Sequence, residues 1–104
     1  MFITSFGEQN ITYKCCSNFL IHLCEKAVEL HGFLSRAQLD CNYHYYSEEL
    51  KEAAAKCTKH DLGEKYGREV MKFGMKEFEE RKKEDAQGHF CHKVLKEFPK
   101  YIKQ

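Results

Sequence analysis

Ninety-eight residues pass before this chain meets its only proline, Pro99. Proline breaks helix interiors and central strands alike. With only six glycines besides, the 104-residue chain carries few turn signals. A fold of many short strands needs frequent punctuation, so long helices are the expected element. The reading is an all-α fold, a small up-down bundle of three to four helices. Residues 1–104 form a single helical domain, with an irregular N-terminal segment over 1–9 and a C-terminal tail over 99–104.

The apolar residues follow a helical period. Cys16, Phe19, Leu20, Leu23, Cys24, Ala27 and Val28 recur at three- and four-residue steps, which predicts a first helix over 11–31. Asn10 is placed to cap its start and Gly32 to close its end. Ser35 with Gln38 has the capping-box spacing, so a second helix is expected over 35–59. Its apolar face comprises Leu39, Tyr43, Tyr46, Leu50, Ala53, Ala54 and Cys57. A third helix starts near Glu64, with Tyr66, Val70, Phe73, Gly74 and Phe78 on one face. Gly67 and Gly74 lie seven residues apart on the same side, where close approach of a neighbouring helix would explain them. The mixed charges of residues 77–85 read as a solvated helix end. After a turn at Gly88, Cys91, Val94, Leu95 and Phe98 predict a short fourth helix, stopped by Pro99.

Lys and Arg total 17 and Asp and Glu 16, a net charge of +1. The section from Gly63 onward has a small basic excess, far from the concentrated basic face of a nucleic-acid-binding domain. No apolar run reaches the ~18 residues that span a bilayer. Residues 19–34, the most apolar stretch, are interrupted by His22, Glu25, Lys26, Glu29 and His31, which disqualifies them as a signal-peptide core. As written, the chain reads as cytoplasmic. Oxidised cysteines would place it in a secreted or periplasmic setting instead.

Six cysteines allow fifteen pairings. The bundle narrows them. If the first two helices are antiparallel about residue 33, Cys24 lies near Cys41. If the third returns along the second, Cys41 lies level with Lys83, and a turn at Gly88 leaves Cys91 at the same end. Cys41, Cys91 and Cys24 are therefore the disulfide candidates, with Cys41–Cys91 the nearest pair. Cys57 is expected at the opposite end, nearer Cys15 and Cys16. Free thiols packed as small hydrophobes are the competing state.

Cys57-x-x-His60 and the run from His89 to His92 supply thiolate and imidazole, the atoms of a zinc site. Cys57, His60, Cys91 and His92 are the candidate ligands, but they are expected at opposite ends of the bundle. A structural zinc is thus the lesser alternative, and no cofactor is the leading expectation. No glycine-rich phosphate loop, His-Glu-x-x-His or nucleophile elbow is present, so no catalytic residue is assigned and a non-enzymatic role is expected. What remains is a helical module acting through a protein partner, of inhibitor, immunity, adaptor or effector type. Its alternative is a disulfide-stabilised secreted or periplasmic effector. His44 and Tyr45 supply an aromatic anchor and Arg81 and Lys82 steering charge for such an interface. Asn10-Ile-Thr12 fits the N-glycosylation triplet, which carries meaning only for a secreted chain.

Overall fold

A computed structural model describes the backbone of residues 12–104 and the side chains of residues 21–104. The expected irregular start, the Asn10 cap, the Asn10 triplet and the side chains of Cys15, Cys16, Phe19 and Leu20 lie outside the described residues. The described residues form an all-α bundle of four packed helices with one minor two-stranded ladder. In order these are α1 (Thr12–Cys41), β1 (Tyr45–Tyr46), α2 (Glu48–Lys56), a π-helical turn (Cys57–Leu62), α3 (Glu64–Lys83), α4 (Phe90–Glu97) and β2 (Ile102–Lys103).

Helix α1 does not stop at Gly32. It continues through the expected second cap and ends only at Asn42, whose φ of 58° is the left-handed conformation that closes a helix. Ser35 is no N-cap, since its hydroxyl donates back to the Gly32 carbonyl at 3.3 Å. Gln38 helps close the far end, donating from Nε2 to the Tyr43 carbonyl at 2.7 Å. The expected second helix is therefore cut in two. Its first part belongs to α1, and residues 42–47 cross over as an extended segment. Helix α2 then starts at Ser47, whose hydroxyl accepts from the Leu50 N–H at 3.1 Å.

Glycine explains why α1 runs on. A Cβ at Gly32 would fall inside the Met71 carbonyl of α3, and one at Gly74 inside the Glu29 carbonyl of α1. Both glycines serve backbone-to-backbone approach of α1 and α3. Gly67 instead faces the Thr58 side chain of the π-helical turn. The two helices run parallel: the Tyr66 hydroxyl meets Glu25 low on the bundle, and Lys82 Nζ meets Asp40 Oδ2 at 2.8 Å near its top. Segment α2 with the π-helical turn descends between them in sequence, and α4 descends after α3.

The buried stripe of α3 is Gly67, Gly74 and Phe78, at seven- and four-residue steps. That stripe turns Tyr66 and Phe73 outward, although the apolar pattern had grouped them with the core. Leu39 likewise lies on the outer side of α1, 73% exposed. The core is Phe33, Leu34, Ala37, Tyr43, Leu50, Phe78, Phe90, Val94 and Ile102. Phe33 stands edge-on to Phe78, with centroids 5.6 Å apart, the arrangement aromatic quadrupoles favour. Burial pushes the Tyr43 hydroxyl up to about 12, and that hydroxyl donates to the Cys91 carbonyl at 2.7 Å.

Strand β1 pairs antiparallel with β2, Tyr45 opposite Lys103 and Tyr46 opposite Ile102. On its inner side the Tyr46 hydroxyl lies 2.7 Å from His31 Nδ1. Burial, with Lys51 nearby, holds the His31 pKa below its ordinary 6.5. The unfolded chain therefore binds a proton here before the folded one does. Stability from this site is complete above the ordinary imidazole pKa and is lost as pH falls through it toward the lowered folded value. The expected result is a lower urea midpoint at about pH 5.5 than at about pH 7.5, and a smaller drop in His31→Gln, which removes the titration. Glu29 titrates in the opposite sense, so the wild-type-minus-variant difference is the quantity to read. Equal drops would refute the assignment to His31.

Candidate functional site

Two places combine chemistry with access. One is a groove between α1 and α3. The other is the group of cysteines that joins α1 to the π-helical turn.

The groove follows from the close packing of the two helices. Because glycines carry the contact, the larger side chains of α3 stand beside it, and Phe73 is 61% and Tyr66 45% exposed. Glu25, Glu29, Tyr66, Glu69, Val70 and Phe73 line an opening of about 310 Å³. Glu25 and Glu29 also line a neighbouring cleft with Arg81, Glu97 and Phe98. Desolvation, followed by a hydrogen bond to Glu77, raises the Glu29 pKa above the ordinary carboxylate value. The hydrogen bond to Glu25 is the main cause that raises the Tyr66 hydroxyl. The result is an aromatic and aliphatic floor with carboxylates around it.

The interface residues read from sequence sit at the top of the bundle. His44 is exposed, and Tyr45 faces outward with Lys103 Nζ 5.4 Å from its ring centroid. Arg81 and Lys82 are not free steering charges. The Arg81 guanidinium lies over Phe33 and Phe90, 5.2 and 5.5 Å from their centroids, and bonds Glu97 at 3.0 Å. Lys82 is held by Asp40, whose pKa this hydrogen bond lowers. A cation spaced by helical periodicity looks solvated in sequence, and only tertiary packing shows that Arg81 stitches α3 to α4.

Among the described residues the cysteines form two bridges. Cys41 is joined to Cys91, with Cα atoms 5.7 Å apart, at the top of the bundle. Cys24 is joined to Cys57, with Cα atoms 5.4 Å apart, at the lower part of α1. Cys24 was expected beside Cys41. The unbroken α1 puts those two about 25 Å apart along one helix instead. The proposed quartet Cys57, His60, Cys91 and His92 is likewise divided. Helix α3 separates its halves by roughly 30 Å, and each cysteine of the quartet is bonded elsewhere. A different trio converges: sulfur atoms of Cys24 and Cys57 and a carboxylate oxygen of Asp61 all lie within 4.8 Å of one another. Cys57 and Asp61 are four residues apart on the π-helical turn, whose extra-wide register periodicity alone does not reveal.

Among the described residues, no helix is long and apolar enough to cross a membrane. No family model, curated protein or solved structure matches this chain.

Proposed function

We propose that this chain is a non-enzymatic helical module that binds a protein partner through the groove between α1 and α3, in the manner of an inhibitor, immunity, adaptor or effector protein. The observation that carries the reading is the exposure of Phe73 and Tyr66 on a helix whose backbone is locked against its neighbour. Exposed aromatics on a rigid element lose little conformational freedom on binding, which is what makes aromatic anchors effective. Glu25, Glu29 and Glu69 around them suit a partner segment that brings Lys or Arg beside an apolar side chain. The two bridges favour a setting in an oxidising compartment, secreted or periplasmic, where such bonds persist.

The test is capture of a partner from the native source, followed by affinity measurements with Phe73→Ala and with Glu25→Lys/Glu69→Lys. Phe73→Ala is expected to weaken binding at least about fivefold, since truncating an anchor costs more than ~1 kcal/mol. The charge reversals are expected to slow association and to flatten its dependence on salt. A partner that binds both variants as tightly as the wild type would refute the groove. Consumption of a substrate by the purified chain would refute the class. Intact mass before and after reduction, taken on protein from its native source, reads the compartment: two bridges add two hydrogens each.

A further inference from the structure

We propose that, once the Cys24–Cys57 bridge is reduced, Cys24, Cys57 and Asp61 bind a thiophilic divalent cation of the zinc class. This goes beyond partner docking and does not depend on it. The three ligand atoms lie within 4.8 Å of one another, and the Cys24 sulfur is 3.5 Å from Asp61 Oδ2. Two ligands of one tetrahedral zinc, a thiolate at ~2.3 Å and a carboxylate oxygen at ~2.1 Å, stand about 3.6 Å apart. The Cys24 sulfur and Asp61 thus already sit at the spacing of a single coordination sphere, and the two sulfurs, bonded to each other in the bridge, have to move apart to about 3.8 Å once it is reduced.

Two features make the arrangement more than a bridge with an acid nearby. While Cys24 is bonded to Cys57 its sulfur has no proton to donate, so Asp61 gains no hydrogen bond from it. On reduction the two sulfurs become thiols beside a carboxylate, and once they give up their protons a divalent cation is what makes the proximity of three anionic donors favourable. The second feature is the scaffold. Cys57 and Asp61 are carried by one π-helical turn and Cys24 by α1 opposite, so the ligands come from two packed helical elements and not from a loop. π-helical segments recur at functional sites, where the wider turn re-aims side chains. Asp61 is exposed, which leaves the fourth position to water or to a donor from outside. Two soft thiolates select zinc-like ions over magnesium or calcium.

The conversion balances. A dithiol reductant passes two electrons and two protons to the bridge, and the S–S bond becomes two S–H groups as the reductant becomes a disulfide. Cation binding then releases both thiol protons to solvent.

The experiment uses the full chain in a Cys15→Ser/Cys16→Ser background, reduced with a phosphine that ends as its oxide after taking oxygen from water. Cobalt(II) is the probe. One equivalent is expected to give tetrahedral d–d bands with a thiolate-to-cobalt charge-transfer band, and zinc should displace it. Cys24→Ser and Cys57→Ser should each lose charge-transfer intensity, and Cys41→Ser should keep it. Asp61→Asn alters an exposed side chain and leaves all the thiols in place, so it reports on the site even where the cysteine variants fail to fold. It should weaken cobalt binding at least about tenfold, the smallest loss usually seen even for an outer-sphere partner. Unchanged affinity in Asp61→Asn would overturn the proposal. So would a signal that survives Cys57→Ser but vanishes in Cys41→Ser, or a reduced chain that binds no cobalt at all.

Discussion

Gly74→Ala is expected to destabilise the fold by about 2–3 kcal/mol, although alanine is the better helix former by ~1 kcal/mol. At an open helical position the substitution would stabilise. At Gly74 the added methyl would fall inside the Glu29 carbonyl and 2.9 Å from the Phe33 amide nitrogen, and both are backbone atoms that cannot rotate away. The helices must separate, which loosens Phe33 and Phe78 behind the contact, and overpacking of this kind typically costs 1–3 kcal/mol before further relaxation. Gly32→Ala acts on the same interface from α1, so the double variant should cost less than the sum of the two. Urea unfolding measures all three. A Gly74→Ala protein as stable as the wild type would mean that α1 and α3 do not pack through their glycines.

The second large effect is expected from the upper bridge. Cys41 and Cys91 close a loop with a sequence separation of 50, and the chain-entropy estimate for such a loop is about 4 kcal/mol. Cys41→Ala/Cys91→Ala should therefore lower the unfolding free energy by roughly 3–4 kcal/mol. The loss should be uneven. Helix α4 is held to α1 by this bridge, to the crossover segment by the Tyr43 hydrogen bond to the Cys91 carbonyl, and to α3 by the Arg81–Glu97 pair. Without the bridge, amide exchange should accelerate in α4 and β2 ahead of the α1–α3 pair. An unchanged thermal midpoint, or uniform acceleration, would contradict this picture.

The class of the fold was readable because helical periodicity is a local property. The positions of α3 and α4 followed from it, and so did the stop at Pro99. The division between the first two helices was not readable, because Gly32 and Ser35 carry ordinary end signals. The role of Gly32 is set by Met71, far along the chain, and Ser35 bonds back to the Gly32 carbonyl within the continuing helix. The buried side of α3 was partly legible, since the spacing of Gly67 and Gly74 marked close approach and Phe78 belonged to the apolar face, whereas hydropathy also drew in Tyr66 and Phe73, which face outward. Asn42, which tolerates a left-handed backbone, and Ser47, a helix cap, are the local signs of the crossover. In the candidate sites, hydropathy alone groups Phe73 with the core, because its outward direction depends on which stripe the neighbour chooses. The partnership of Cys24 with Cys57 required knowing that α1 is unbroken. The meeting of Asp61 with both sulfurs required the π-helical register.

The two bridges also interleave along the chain, in the order Cys24, Cys41, Cys57, Cys91. Their spans overlap, so a single backbone cut anywhere from residue 24 to residue 91 leaves one covalent molecule. The exposed turn over residues 84–89 is the natural place for a protease to enter. A nick there would leave α4 tethered to α1 through Cys41 and Cys91. On a non-reducing gel the cleaved protein would migrate as a single band near the position of the intact one, and it would part into two fragments only after reduction.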